Sequence, residues 1–270
     1  MMPCGRRSKG SGEIGPALKV SEPDLPVTKS DETLDTFYRG RILVLQKKKG
    51  YRFAVDAPLL ADFIRTEPTD EALELGTGNG IIPLLLSIKP FRHITAVEIQ
   101  ETLADLARRN VRLNRLEDKI SVIRKDFREY RPRKKFDVIF SNPPYIKKKT
   151  GFLSASAEKS VAKHELKCDI LDVMRKTGEL LKAEGRAYFI YPAKRQEELA
   201  KAAATSGLAV RALRFVLPRA GDLANVFLAE CGFGAGSART LRPLILYDER
   251  GAYTPEVRKI FEGRRRGTAA

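Results

Sequence analysis

The chain of 270 residues carries 50 lysines and arginines against 34 acidic residues, a formal net charge of +16, and 43% of its residues are hydrophobic. That length and apolar share fit one large α/β domain with extensions, and the charge favours a polyanionic partner such as nucleic acid. Three widely spaced cysteines (Cys4, Cys168, Cys231) and only two histidines argue against a disulfide framework or a metal site, and no apolar run approaches the roughly 18 residues of a membrane helix.

Residues 1–30 are rich in Gly, Ser, Pro and Lys without apolar periodicity, which predicts a disordered basic tail. Arg6-Arg7 is followed by no apolar run, so a secretory signal is not expected and the chain reads as cytoplasmic. Residues 37–55 alternate as a hairpin turning at Lys47-Lys48-Lys49-Gly50. A short helix over 56–64 comes next, and Asp56 at its start can meet a ligand's ammonium group or cap the helix.

Ala72-Leu73-Glu74-Leu75 reads as an apolar strand opening into Gly76-Thr77-Gly78-Asn79-Gly80, with a helix over 81–88 behind it. Such a turn in a dinucleotide fold receives a pyrophosphate at the helix start. Acidic Glu74 would repel a pyrophosphate but suits a sulfonium and an ammonium, so the turn points to S-adenosylmethionine rather than NAD. Glycines also serve tight turns, so Gly76, Gly78 and Gly80 acquire this meaning from the acids at the next strand ends. A second strand over 93–98 ends in Glu98, eighteen residues after Gly80, where a ribose is held in such sheets. After a helix over 100–113, a third strand over 119–124 ends in Asp126-Phe127, an acid for an adenine amine and a backbone for the ring edge. Each acid alone is better read as a helix cap or a solvated loop residue; the ordered set lies along the carboxyl edge of an open α/β sheet.

The fourth strand, Phe136-Asp137-Val138-Ile139-Phe140-Ser141, runs into Asn142-Pro143-Pro144-Tyr145. A planar exocyclic nitrogen is a poor nucleophile because its lone pair is delocalised. The Asn142 side-chain oxygen and the Pro143 carbonyl can accept its two N–H groups, and Tyr145 offers a face for stacking. The prolines stiffen the loop and add no competing donor. A proline-rich turn closing a strand is the plainer alternative. Lys147, Lys148 and Lys149 come directly after and can hold phosphates beside that loop. Residues 147–163 are long enough for a substrate lid. A helix over 164–181, a strand over 186–191, a helix over 193–206 and an antiparallel hairpin of 210–217 with 225–231 complete the sheet. His164 is read as orienting its helix rather than as a base, and Arg264-Arg265-Arg266 as a solvated tail.

With these residues the chain resembles the class I S-adenosylmethionine-dependent methyltransferases of the Asn-Pro-Pro-Tyr group, and is similar to the bacterial tRNA(Val) adenine-N6 methyltransferases. The likeness runs over about residues 31–262 and includes Tyr38-Arg39-Gly40-Arg41, Leu217-Pro218-Arg219-Ala220-Gly221 and Tyr253-Thr254-Pro255-Glu256. It implies a Rossmann-like α/β fold with a seven-stranded, mostly parallel sheet and an antiparallel C-terminal hairpin. The expected plan is an entry hairpin and helix (31–66), a core sheet (67–235), a C-terminal extension (236–262) and a basic tail (263–270). The resemblance further implies S-adenosyl-L-methionine at Glu74, Gly76, Gly78, Gly80, Glu98, Asp126, Phe127, Asp56 and Asn142. A flipped adenine of RNA, expected in a tRNA anticodon loop, would be held by Asn142, Pro143 and Tyr145, with Pro144, Lys147, Lys148 and Lys149 on the substrate side. A glutamine-N5 methyltransferase acting on a release factor, a guanine-N2 methyltransferase of ribosomal RNA and a non-catalytic RNA-binding protein stay open.

Overall fold

The computed structural model describes residues 28–49, 55–143, 169–234 and 236–263. Strands β3 (Glu71–Leu75), β4 (His93–Glu98), β5 (Ile120–Arg124), β6 (Phe136–Ser141) and β7 (Leu181–Pro192) lie parallel, while β9 (Val226–Phe233) runs antiparallel between β7 and β8 (Leu208–Leu217). The spatial order is β8-β9-β7-β6-β3-β4-β5, the expected seven strands with the closing hairpin at one end. Two strands of two residues each, β10 (Arg239–Thr240) and β11 (Leu244–Ile245), extend the sheet to nine by pairing in parallel with β8.

A parallel sheet buried on both faces needs apolar side chains at successive positions. Here Val138, Phe140, Tyr188 and Ile190 enter one core with α1 (Asp56–Phe63), α2 (Ile81–Leu86) and α3 (Glu101–Leu113). Their neighbours Ile139, Phe189 and Tyr191 enter the other, with α4 (Ile170–Leu180) and α5 (Gln196–Thr205). Helix α4 starts at Ile170, where Asp169 is extended and forms a reciprocal capping box with Asp172; residues 164–168 of the expected helix lie outside the described residues. The tail beyond the sheet adds α6 (Pro255–Glu262), with Thr254 as cap, Pro255 in the first turn and Gly263 in a left-handed conformation behind it.

The entry hairpin differs from its expected form. Its strands are β1 (Glu32–Phe37) and β2 (Ile42–Lys47), and it turns at Tyr38-Arg39-Gly40-Arg41, not at the lysines. Tyr38 and Arg39 adopt positive φ (52° and 59°), which their side chains disfavour and which no sequence rule announces. Lys47 instead ends β2 and pairs with Asp31 at 2.8 Å and Glu32 at 3.2 Å, while Lys48 donates to the Ser30 carbonyl at 2.8 Å. Lys29 and Ser30, read as tail, thus belong to the base of the hairpin.

Strand β1 inverts the usual alternation, since Glu32 is 4% exposed and Leu34 38%. Arg109 of α3 explains this by donating to both Glu32 oxygens, at 2.7 and 2.8 Å. That pairing holds the Glu32 carboxyl down to about 2. Its contribution to stability is therefore complete above the usual carboxylate range and is lost as pH falls through about 2. Arg109→Ala leaves Glu32 buried with Lys47 as its remaining side-chain cation. We expect a loss of about 2–3 kcal/mol, below the roughly 3–5 of a fully orphaned buried charge, read as a lower urea midpoint. An unchanged midpoint would show that the hairpin does not depend on the pair.

Candidate active site

Each strand end at the carboxyl edge contributes one part. Register sets Leu75 of β3 opposite Val97 of β4 and Glu74 opposite Phe140 of β6. The Val97 carbonyl accepts from the backbone N–H groups of Gly76 and Thr77 at 2.9 and 3.0 Å, which bends the chain off the sheet. Gly76, Gly78 and Gly80 all have positive φ (77°, 60° and 83°), so the turn requires residues without a Cβ at these points. At Gly80 a Cβ would also come within 3.2 Å of Ala107 on α3. The turn thus delivers the chain into α2 while lying tight against α3.

Two acids sit inside this arrangement. Glu98, 5% exposed, accepts from the Gly78 N–H at 2.8 Å and the Gln100 N–H at 2.9 Å, and burial raises its pKa. Glu74, 1% exposed, accepts from the Thr77 hydroxyl. Burial, reinforced by the neighbouring Glu98 and opposed by the Thr77 hydrogen bond, pushes its carboxyl up to about 8. Between Gly78 and Gly80, Asn79 is 1% exposed and neither polar atom of its side chain has a partner among the described residues. A buried amide left so is costly unless a bound group satisfies it.

Asn142 follows β6 directly. Continuing the β3–β6 register by two residues sets it level with Gly76, so the catalytic candidate stands beside the glycine turn. The Ser141 hydroxyl donates to the Leu75 carbonyl at 2.6 Å and ties the two strand ends together. Asn142 is half-buried and Pro143 buried. Pro144, Tyr145, Lys147, Lys148, Lys149, the expected lid and His164 lie outside the described residues, as do 1–27 and 264–270.

Asp126 is already engaged by a neighbouring side chain. Both its oxygens accept from the Arg128 side chain, Nε lying 3.0 and 2.9 Å away, and one also accepts from the Arg128 backbone N–H at 2.9 Å. It thereby caps a one-turn helix at Phe127–Glu129, and Arg128 contributes to a lowered pKa despite partial burial. The carboxylate is already charge-paired, and an adenine amine would meet only its remaining lone pairs. Phe127 is half-buried against the core face shared with α4. Asp56 is not the cap of α1; Val55 occupies that position and Asp56 lies in the first turn.

The family model of the methyltransferase small domain matches residues 52–187, half the chain, and spans both the glycine turn and Asn142. The chain belongs to this family of S-adenosylmethionine-dependent methyltransferases. Among curated relatives, the tRNA1(Val) (adenine(37)-N6)-methyltransferase of Bacteroides thetaiotaomicron is 31% identical over 159 residues, 58% of this chain and 66% of that protein. The namesake from Actinobacillus pleuropneumoniae is 25% identical over 227 residues, 83% and 94%. For the first of these the chain covers just under two thirds of the relative's length. A solved structure of a predicted O-methyltransferase from Agrobacterium tumefaciens has a TM-score of 0.59 at 22% identity, covering 77% of this chain and 96% of that one. The tRNA m1G37 methyltransferase of M. jannaschii gives 0.51 at 18%, covering 76% and 55%. These two likenesses concern the fold.

The residues present fit the family's methyl donor. The buried Asn79 amide, without a partner among the described residues, suits a polar group, and Glu74 and Glu98 suit a cationic, hydroxyl-bearing molecule. This fit carries a pH dependence with a definite sign. In the free protein Glu74 holds its proton below about pH 8, whereas a sulfonium or ammonium nearby favours the ionised form. Binding should release a proton, so affinity for S-adenosylmethionine should rise with pH and level off above about 8. Calorimetry in buffers of different ionisation enthalpy checks this, and pH-independent affinity with no proton release would contradict it.

Residues not foreseen from the sequence are Thr77, Asn79 and Ser141, which organise the two acids and the strand ends. Asn79 lies inside the Gly-x-Gly-x-Gly spacing and was within reach of the motif; the Ser141–Leu75 contact depends on strand register and was not.

Proposed function

We propose that the chain methylates the exocyclic amine of an adenine in tRNA, forming N6-methyladenine at an unpaired or flipped base of the anticodon loop. The observation that carries this is the position of Asn142-Pro143 one strand over from the glycine turn, in a chain whose curated relatives bear the adenine-N6 name. The cofactor supplies a methyl group on a positively charged sulfur. Glu74, Glu98 and the glycine turn would hold that molecule, with Phe127 and Asp56 as further contacts and Asp126 reaching it only through the lone pairs that Arg128 leaves open.

Asn142 and Pro143 act on the nucleophile. The Asn142 amide oxygen and the Pro143 carbonyl accept the two amine hydrogens and turn the nitrogen lone pair toward the methyl group. Tyr145 stacks on the base. The methylated nitrogen carries a positive charge and is acidic, so its proton leaves to solvent without a strong base. Rate therefore comes from alignment and from fixed polar groups. A stacked base hides its amine, which is why an unpaired or flipped adenine is required.

The net charge of +16 supports a nucleic-acid substrate over a protein one. A tRNA substrate fits the cytoplasmic expectation. Neutralising Lys147, Lys148 and Lys149 together tests the RNA reading. Binding to tRNA should weaken for every sequence, and the log–log salt slope should flatten by roughly two units, given about 0.7 per single-strand phosphate contact. An unchanged slope would favour glutamine methylation instead.

A further inference from the structure

Helix α3 buries an apolar face of Leu103, Ala104, Leu106, Ala107 and Val111, and in the middle of it a wholly buried asparagine, Asn110. Its amide is fully engaged. Oδ1 accepts from the Leu45 N–H at 2.7 Å, and Nδ2 donates to the Leu45 carbonyl at 3.0 Å and to the Asn79 carbonyl at 2.9 Å. One turn later Asn114 treats Leu43 in the same way, accepting from its N–H at 2.9 Å and donating to its carbonyl at 2.7 Å. The two side chains stand in for a third strand along the open edge of β2. They differ in one bond. The second donor of Asn114 returns to the Asn110 carbonyl of its own helix, at 2.8 Å, whereas that of Asn110 reaches the glycine turn.

We infer that Asn110 is a positioning residue through which the N-terminal hairpin sets the glycine turn for S-adenosylmethionine. Fixing the Asn79 carbonyl fixes the planar peptide joining Asn79 to Gly80. That peptide leads into left-handed Gly80, one residue after left-handed Gly78, where the backbone has the most freedom to be elsewhere. The Gly80 N–H on its other side bonds the Thr77 carbonyl at 3.0 Å, so one side chain orients the link between the Glu74–Thr77 pair and the start of α2. Asn110 is itself held by β2, which makes hairpin docking and cofactor binding interdependent. The inference rests on the cofactor site and is independent of the RNA reading.

Asn114 supplies the control. Asn110→Ala and Asn114→Ala each leave two backbone groups of β2 without a side-chain partner, so a purely structural role predicts similar losses of Tm and similar effects on ligand. We expect similar losses of Tm but different calorimetric affinities. The Kd for S-adenosylmethionine should rise about tenfold in Asn110→Ala, equivalent to about 1.4 kcal/mol, and by less than about twofold in Asn114→Ala. In turnover the change should appear in the KM for the cofactor and not in that for the nucleophilic substrate. Equal changes in both variants, or none in Asn110→Ala, would overturn the inference; failure of the wild type to bind S-adenosylmethionine would instead overturn the cofactor site. Hydrogen exchange on the wild type tests the same coupling without a variant. Saturating cofactor should slow exchange of the Leu45 amide in β2, and unaltered exchange there would count against the coupling even if Asn110→Ala does not fold.

Discussion

Asn142→Ala should lower methyl transfer by at least about a hundredfold, the scale of losing one preorganised polar group at a reacting centre. The variant removes one of two acceptors that orient the amine, and the Pro143 carbonyl alone leaves the nitrogen free to rotate its lone pair off line. The strand end should persist, because the Ser141 hydroxyl ties it to the Leu75 carbonyl. Affinity for S-adenosylmethionine should change far less, since Glu74, Glu98 and the glycine turn are untouched. Single-turnover transfer with calorimetry on the same preparation reads both quantities. Near-normal transfer in Asn142→Ala would remove this loop from the mechanism.

Glu98→Ala should weaken S-adenosylmethionine by about 1.5–3 kcal/mol, roughly ten- to 150-fold. Two losses combine there. A ribose would lose its charged acceptor, and the Gly78 and Gln100 N–H groups would lose the carboxylate that fixes them beside the turn. Glu98→Gln removes the charge and keeps one acceptor oxygen for the Gly78 and Gln100 N–H groups, setting its NH2 against the other, and should fall between wild type and alanine. Calorimetry showing unchanged affinity in Glu98→Ala, or NAD bound in its place, would refute the assignment.

Much of the site could be read from the chain because it depends on local chemistry. Glycines at 76, 78 and 80 are needed where φ is positive, and the acid that ends β4 follows from the strand pattern alone. The parallel strands at the centre of the sheet were legible since a buried strand writes itself as a largely apolar run. The hairpin was misplaced for the opposite reason. Its turn uses Tyr38 and Arg39 against their conformational preference, and its buried position is filled by Glu32, whose partner Arg109 lies 77 residues away. The pairing of Asp126 was hidden for a like reason, because the sequence showed an acid at a strand end but not that Arg128 would bond both oxygens. The α6 helix could have been found, since Thr254-Pro255-Glu256 is a helix start with cap, proline and first-turn acid in order. Asn110 and Asn114 also left a trace, as two asparagines four apart on an otherwise apolar helix face, but what they bind is set by tertiary packing.

The most direct test of adenine methylation incubates the purified protein with S-adenosylmethionine labelled in its methyl group, presenting total tRNA and a release factor bearing Gly-Gly-Gln in parallel. Nucleosides and peptides are then resolved by mass spectrometry. The expected result is label in tRNA, recovered as N6-methyladenosine and absent with Asn142→Ala. Label confined to glutamine of the protein, or recovered as a methylated guanine, would contradict it.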